Sequence, residues 1–145
     1  PLYSSAASDV YKRQEYGHVK LREQLGLLSG PVEEFQKSAT AEHNAMLNML
    51  VEEGYLDKAA LDDEAANENE IVDALYRGLK GSPCKLMAAS IVDAVGEKRT
   101  QNQPGTNNEY PNWRIPLADG EGNVVPLEKL FDEPRLQEIT AIMRG

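Results

Sequence analysis

Cysteine is nearly missing from this chain: Cys84 stands alone among 145 residues. One cysteine excludes an internal disulfide framework and fits a reducing compartment, the cytoplasm. Histidine is almost as scarce. His18 and His43 lie far apart, with no cysteine or carboxylate at metal-ligand spacing, so they read as surface or packing residues and no metal site is expected. No apolar run approaches the ~20 residues of a membrane span. Basic residues are outnumbered, 15 Lys and Arg against 24 Asp and Glu, for a formal charge of −9. That balance argues against a nucleic-acid backbone or an anionic membrane as the main partner. What these absences leave is a soluble, mainly helical chain with the length of one domain.

The first residues fit none of the usual leaders. "PLYSSAASDVYKRQ" has only Ala6 and Ala7 as an apolar run, and Lys12 and Arg13 come at the wrong end for a secretory signal. Ser4 to Gln14 matches, codon for codon, the translation of a common transposase-type sequencing adapter. Residues 1–14 are therefore expected to be a non-native tail, with native sequence from Glu15 onward and more of the gene product upstream. Asp9, Lys12 and Arg13 together carry +1, so the remainder carries −10.

Beyond that tail the pattern turns helical. "HVKLREQLGLLSG" places Leu21, Leu25 and Leu28 at helical spacing. Gly30 stops that helix, and Pro31 opens a long one with Glu33 and Glu34 in its first turn. Val32, Phe35, Ala39, Met46, Met49 and Leu50 trace its apolar stripe, and Gly54 caps it. The acidic stretch Asp57 to Glu70 reads as a solvated face and connector. It lacks the glycine and ligand spacing of a calcium loop. "EIVDALYRGLKGS" predicts an amphipathic helix with Val72, Leu75 and Leu79 on one side. "CKLMAASIVDAVG" predicts a buried strand at Lys85–Ser90, then a short helix ending at Gly96, with Cys84 as a small core residue. Two short helices are expected at "PLEKLF" and "EPRLQEITAIMR".

Between Glu97 and Gly122 the period vanishes, and Asn, Gly and Pro crowd together. A loop of this length in a small domain is commonly functional. Its centre, "QNQPGTNNEYPNWR", combines amides, a Pro-Gly turn, Tyr110, Trp113 and Arg114. Amides both donate and accept hydrogen bonds, as sugar hydroxyls require. A tryptophan offers a flat apolar face with one donor. Equally, Trp113 can be a core anchor with Arg114 as its paired neighbour.

"QPGTNNEYPNWRIPL" resembles the C-terminal signature of the 4-alpha-glucanotransferases, or amylomaltases, of glycoside hydrolase family 77: asparagine, any residue, Pro-Gly-Thr, then Glu-Tyr-Pro-Asn-Trp-Arg. "HVKLREQLGLL" and "SIVDAVGEKRTQNQPGT" are also similar to bacterial members, so the resemblance covers nearly all of Glu15–Gly145. It implies an α/β fold, the C-terminal portion of a (β/α)8 TIM barrel, mostly helical here, with Lys85–Ser90 as the last barrel strand. It implies a reaction that moves an α-1,4-glucan segment between maltooligosaccharides with retention, without a cofactor. The resemblance places all three catalytic carboxylates upstream of residue 15, so this chain holds no catalytic residue and is expected to be inactive alone. Asp93 and Glu109 match no catalytic motif. Asn102 is implied to bind substrate, Pro104, Gly105 and Thr106 to shape the loop, and Tyr110, Trp113 and Arg114 to anchor it. Two alternatives stand beside this reading: a self-standing helical carbohydrate-binding or interaction module, and a different sugar-active barrel enzyme.

Overall fold

A computed structural model describes residues 16–144; the tail expected at residues 1–14 lies outside the described residues. Among the described residues, six α-helices carry the regular structure: α1 Gly17–Gln24, α2 Val32–Glu52, α3 Glu68–Gly81, α4 Ile91–Val95, α5 Leu127–Leu130 and α6 Pro134–Arg144. A 3-10 segment at Lys58–Asp63 joins α2 to α3, so the connector expected there is partly ordered.

Local chemistry sets the helix ends. Pro31 precedes α2, and Glu33 and Glu34 face the positive end of its dipole. At its other end Tyr55 N–H donates to Leu50 O (2.8 Å) and Gly54 N–H to Val51 O (3.1 Å), the paired bonds of a Schellman stop. The same motif closes α1, through Leu27 N–H to Arg22 O (2.8 Å) and Gly26 N–H to Glu23 O (2.9 Å). Here φ is +66° at Gly26, so the helix ends at Gln24, earlier than its leucine spacing predicts. Leu27 is thereby turned out of the helix toward a later loop.

The core forms where α3 packs on both α2 and α6, while α4 packs on α6 and α1 on α2. Because α3 has neighbours on two sides, its buried arc is wide: Ile71, Val72, Ala74, Leu75, Tyr76 and Leu79 are all buried. Leu47 and Leu50 of α2 and Ile139 of α6 complete the cluster with Ala94 of α4. Polar ties fix the outer contacts. Arg135 of α6 bonds Asp73 of α3 at 2.8 Å, and His43 Nε2 of α2 meets Glu64 Oε2 at 2.7 Å. Inside, Tyr76 Oη donates to Asp93 Oδ2 (2.5 Å) and accepts from Ser90 N–H (3.0 Å), which pins the start of α4 onto α3.

The strand expected at Lys85–Ser90 is not formed among the described residues. The segment has no ladder and is exposed, with Leu86 96 % accessible; Cys84 is exposed too, not a core residue. A strand exists only through its neighbours. Among the described residues the sole pairing is an isolated bridge between Ala118 and Val124, and it does not involve this segment.

Since Ile71 is fully buried in the core cluster, truncation there should be costly. We expect Ile71→Ala to lower the unfolding free energy by about 2–5 kcal/mol and Ile71→Val by about 0.5–1.5 kcal/mol, read from urea midpoints of the two variants.

Candidate functional site

The segment from Glu97 to Pro126 has almost no regular structure, yet nested contacts order it. The first is a buried carboxylate. Glu97, 1 % accessible, follows Gly96, the residue that caps α4. Its Oε1 accepts from Arg99 N–H and Arg99 Nε at 2.9 Å each. Its Oε2 accepts from Arg99 Nη2 at 2.7 Å and from Ala118 N–H at 3.0 Å. Arg99 Nη2 also reaches Pro116 O at 2.6 Å. One carboxylate thus ties the loop's entry to its exit, 21 residues away. Burial acts to raise the Glu97 pKa, but the bonds from Arg99 and Ala118 outweigh it and hold the carboxyl below its ordinary value.

Inside this clamp, Tyr110 Oη donates to Thr100 O, and Trp113 N–H donates to Gln101 O at 2.8 Å. Burial and the neighbouring Glu97 raise the Tyr110 phenol, against the opposing pull of Arg99. The innermost contact is made by Asn112. Its Oδ1 accepts from Gln103 N–H (2.7 Å), and its Nδ2 donates to Thr106 Oγ1 (2.9 Å). Thr106 Oγ1 in turn donates to Gln103 O (2.7 Å).

The exit forms a tight turn. Asp119 accepts from Glu121 N–H, Asn123 N–H and Asn123 Nδ2 at 2.9–3.0 Å, and the Asn123 bonds chiefly depress its carboxyl pKa.

These closures push a polar tip outward. Asn102, Pro104, Gly105, Asn107, Asn108 and Glu109 are exposed. Asn102 therefore presents a free-standing carboxamide, suited to a polyhydroxylated ligand. Gly105 has φ +87°, and a Cβ there would sit 3.4 Å from Leu27 Cδ2. The α1–α2 corner thus backs the Pro-Gly turn, and only glycine suits that position.

The expected site residues separate into two groups. Pro104, Gly105 and Thr106 form one turn beside Asn102. Tyr110 is half-buried and bonded to the loop's entry. Trp113 differs from a packed anchor: φ is +58° there and the residue is 77 % accessible, while Arg114 is also exposed. The left-handed backbone at Trp113 brings its N–H to Gln101 and turns the ring away from the helical body, so within the described residues its tie is a backbone one. Asp93 is buried against Tyr76, and Glu109 is exposed with Oε2 on Asn107 N–H (2.7 Å).

Glu97, Arg99 and Asn112 were missed as organising residues. A glutamate two residues before an arginine was the one local signal; the Ala118 and Gln103 partners lie too far along the chain to be read. Among the described residues, no group of three or more His, Cys, Asp or Glu could hold a metal ion, and no helix is long and apolar enough to cross a membrane. A cavity of about 170 Å³ between α1 and α2, lined by His18, Arg22, Phe35, Ser38 and Glu42 among others, includes no residue of the loop.

A helical body carrying this loop is a part found in glycoside hydrolase family 77: residues 19–120 match that family's model. The chain belongs to that family, the 4-alpha-glucanotransferases. It is 44 % identical over 127 residues to the 4-alpha-glucanotransferase of Mycobacterium tuberculosis, covering 88 % of this chain and 17 % of that protein. The Haemophilus influenzae 4-alpha-glucanotransferase is 27 % identical over 135 residues, again with 89 % of this chain and 18 % of the relative covered. The crystal structure of amylomaltase from Corynebacterium glutamicum superposes with a TM-score of 0.79 at 30 % identity, over 92 % of this chain and 20 % of that one. The chain thus spans about a sixth to a fifth of the length of these relatives.

The Glu97 clamp makes a pH prediction. Its folded pKa is depressed, so its stabilisation is full above the ordinary glutamate value of about 4.3 and is lost as pH falls through the lower folded value. Resistance to urea, followed by helical circular dichroism, should weaken over that acid range, and Glu97→Gln should flatten the dependence. Glu97→Ala should cost about 1–3 kcal/mol at neutral pH, because it strands the buried Ala118 N–H.

Proposed function

We propose that residues 15–145 are the C-terminal part of a larger cytoplasmic 4-alpha-glucanotransferase, which transfers α-1,4-glucan segments between maltooligosaccharides with retention. The family match across residues 19–120 carries this reading, because it spans both the helical body and the exposed loop. The names and lengths of the relatives support it. The single cysteine supports a reducing compartment.

In this reading the enzyme is a (β/α)8 barrel, and Lys85–Ser90 supplies its last strand. The exposure of Leu86 and Met87 supports that assignment: the strand's neighbours belong to the rest of the barrel. The loop after it then lies at the catalytic face. Asn102 bonds sugar hydroxyls there, and Pro104, Gly105 and Thr106 fix the turn. Tyr110, Trp113 and Arg114 lock the loop, with the exposed Trp113 ring meeting barrel residues outside this chain.

The chemistry needs two carboxylates. One attacks the anomeric carbon as the second protonates the departing glycosidic oxygen; the second then removes a proton from the acceptor hydroxyl as that oxygen displaces the first. A third carboxylate holds sugar hydroxyls. All three belong upstream of residue 15, so this chain binds and positions but does not cleave. Transfer outruns hydrolysis when the acceptor sugar is held in place and water is kept out.

Two measurements test the proposal. The purified chain should give no product ladder from maltotriose on thin-layer chromatography; a ladder would place the catalytic groups within it. The Mycobacterium tuberculosis relative with residues 16–144 grafted over its matching segment should form that ladder. A folded but inactive graft would count against the glucanotransferase reading, and tight maltooligosaccharide binding by the chain alone would favour a self-standing binding module.

A further inference from the structure

Asn112 closes a three-bond circuit. Gln103 N–H donates to Asn112 Oδ1, Asn112 Nδ2 donates to Thr106 Oγ1, and Thr106 Oγ1 donates to Gln103 O. The carboxamide has one orientation in this circuit, because the Gln103 N–H requires an acceptor and the NH₂ group is not one. The Asn112 carboxamide and the Thr106 hydroxyl each give and receive, so their bonds reinforce one another. The circuit spans residues 103 and 106, immediately after the exposed Asn102. Asn112 is itself fixed from below, by its own N–H to Tyr110 O (2.8 Å) and by the Trp113 N–H to Gln101 O (2.8 Å). On the opposite side Leu27 backs Gly105.

We propose that Asn112 is a positioning residue for glucan binding: by holding the Gln103–Thr106 turn it sets the direction of the Asn102 carboxamide. This rests on the proposed glucanotransferase reading. Asn102 is exposed, and the turn that begins at the next residue is the structure that aims it. A loop that served only to cover the helical body would not need an outward-facing tip held by a closed circuit. The role is indirect, since the Asn112 carboxamide is engaged with Gln103 and Thr106 and Asn102 makes the contact.

Two readouts separate this proposal from the reading beneath it. On the present chain, amide hydrogen exchange at Gln103 should speed up in Asn112→Ala and stay protected in Asn112→Asp, which keeps the acceptor. Unchanged exchange in Asn112→Ala overturns the latch. In the complete enzyme carrying these residues, Asn112→Ala should lower kcat/KM for maltotriose disproportionation by about a hundredfold, largely through KM, as a displaced positioning group does. Asn112→Asp should recover part of that loss. Thr106→Val, which opens the circuit at another point, should act in the same direction and serves if Asn112→Ala does not fold. Accelerated exchange with unchanged kcat/KM overturns the positioning role and leaves a structural one. A complete wild-type enzyme that transfers no glucan overturns the function proposed above, and the positioning role with it, while exchange at Gln103 still reads the latch.

Discussion

A single buried carboxylate holds the loop after α4 together. The segment after α4 has no ladder or long helix to hold it, and its Asn, Gly and Pro content favours many conformations. Glu97 removes that freedom by accepting bonds from both ends of the segment, at Arg99 and at Ala118. The charge matters because a buried carboxylate must be compensated, and four donors do so here. Once entry and exit are joined, the inner closures at Thr100, Gln101 and Gln103 span short distances and cost little further entropy. The exposed tip is consequently ordered without a core of its own.

The helical body supplies what the clamp cannot, a rigid base. Ser90, the residue before α4, is tied to Tyr76 of α3, and α4 itself packs on α6, so Glu97 begins from a fixed point. From the other direction, the α1–α2 corner reaches the loop through Leu27 against Gly105. Elements separated by some eighty residues thus meet at one turn. The body is closed around α3 but not elsewhere. Leu86, Trp113, Leu127 and Phe131 are all strongly exposed, and that apolar surface agrees with a chain that matches about a sixth to a fifth of its relatives' length.

Much of the helical layout was legible in the residues. Pro31, the acidic first turn of α2 and Gly54 marked that helix at both ends, and α3 followed from its apolar spacing. The loop was legible as a loop, and its Pro-Gly-Thr and Glu-Tyr-Pro-Asn-Trp-Arg motifs were legible as a family signature. Lys85–Ser90 was less so: its composition is that of a buried strand, but among the described residues it is exposed and unpaired, because burial and pairing depend on neighbours and not on composition. Trp113 was weighed as a core anchor because of its residue type, yet a positive φ turns its ring outward. Leu47, absent from the expected stripe of α2, is buried because α3 packs on that face.

The sequence by itself determined where most of the helices lie, the position of the loop and the family, because capping, periodicity and motif identity are local properties of the chain. Tertiary structure decided which residues hold the loop. Glu97 and Asn112 are ordinary polar residues until folding brings Ala118 to one and Gln103 and Thr106 to the other. Hydrogen bonds of that kind depend on three-dimensional distance, and no spacing along the chain announces them.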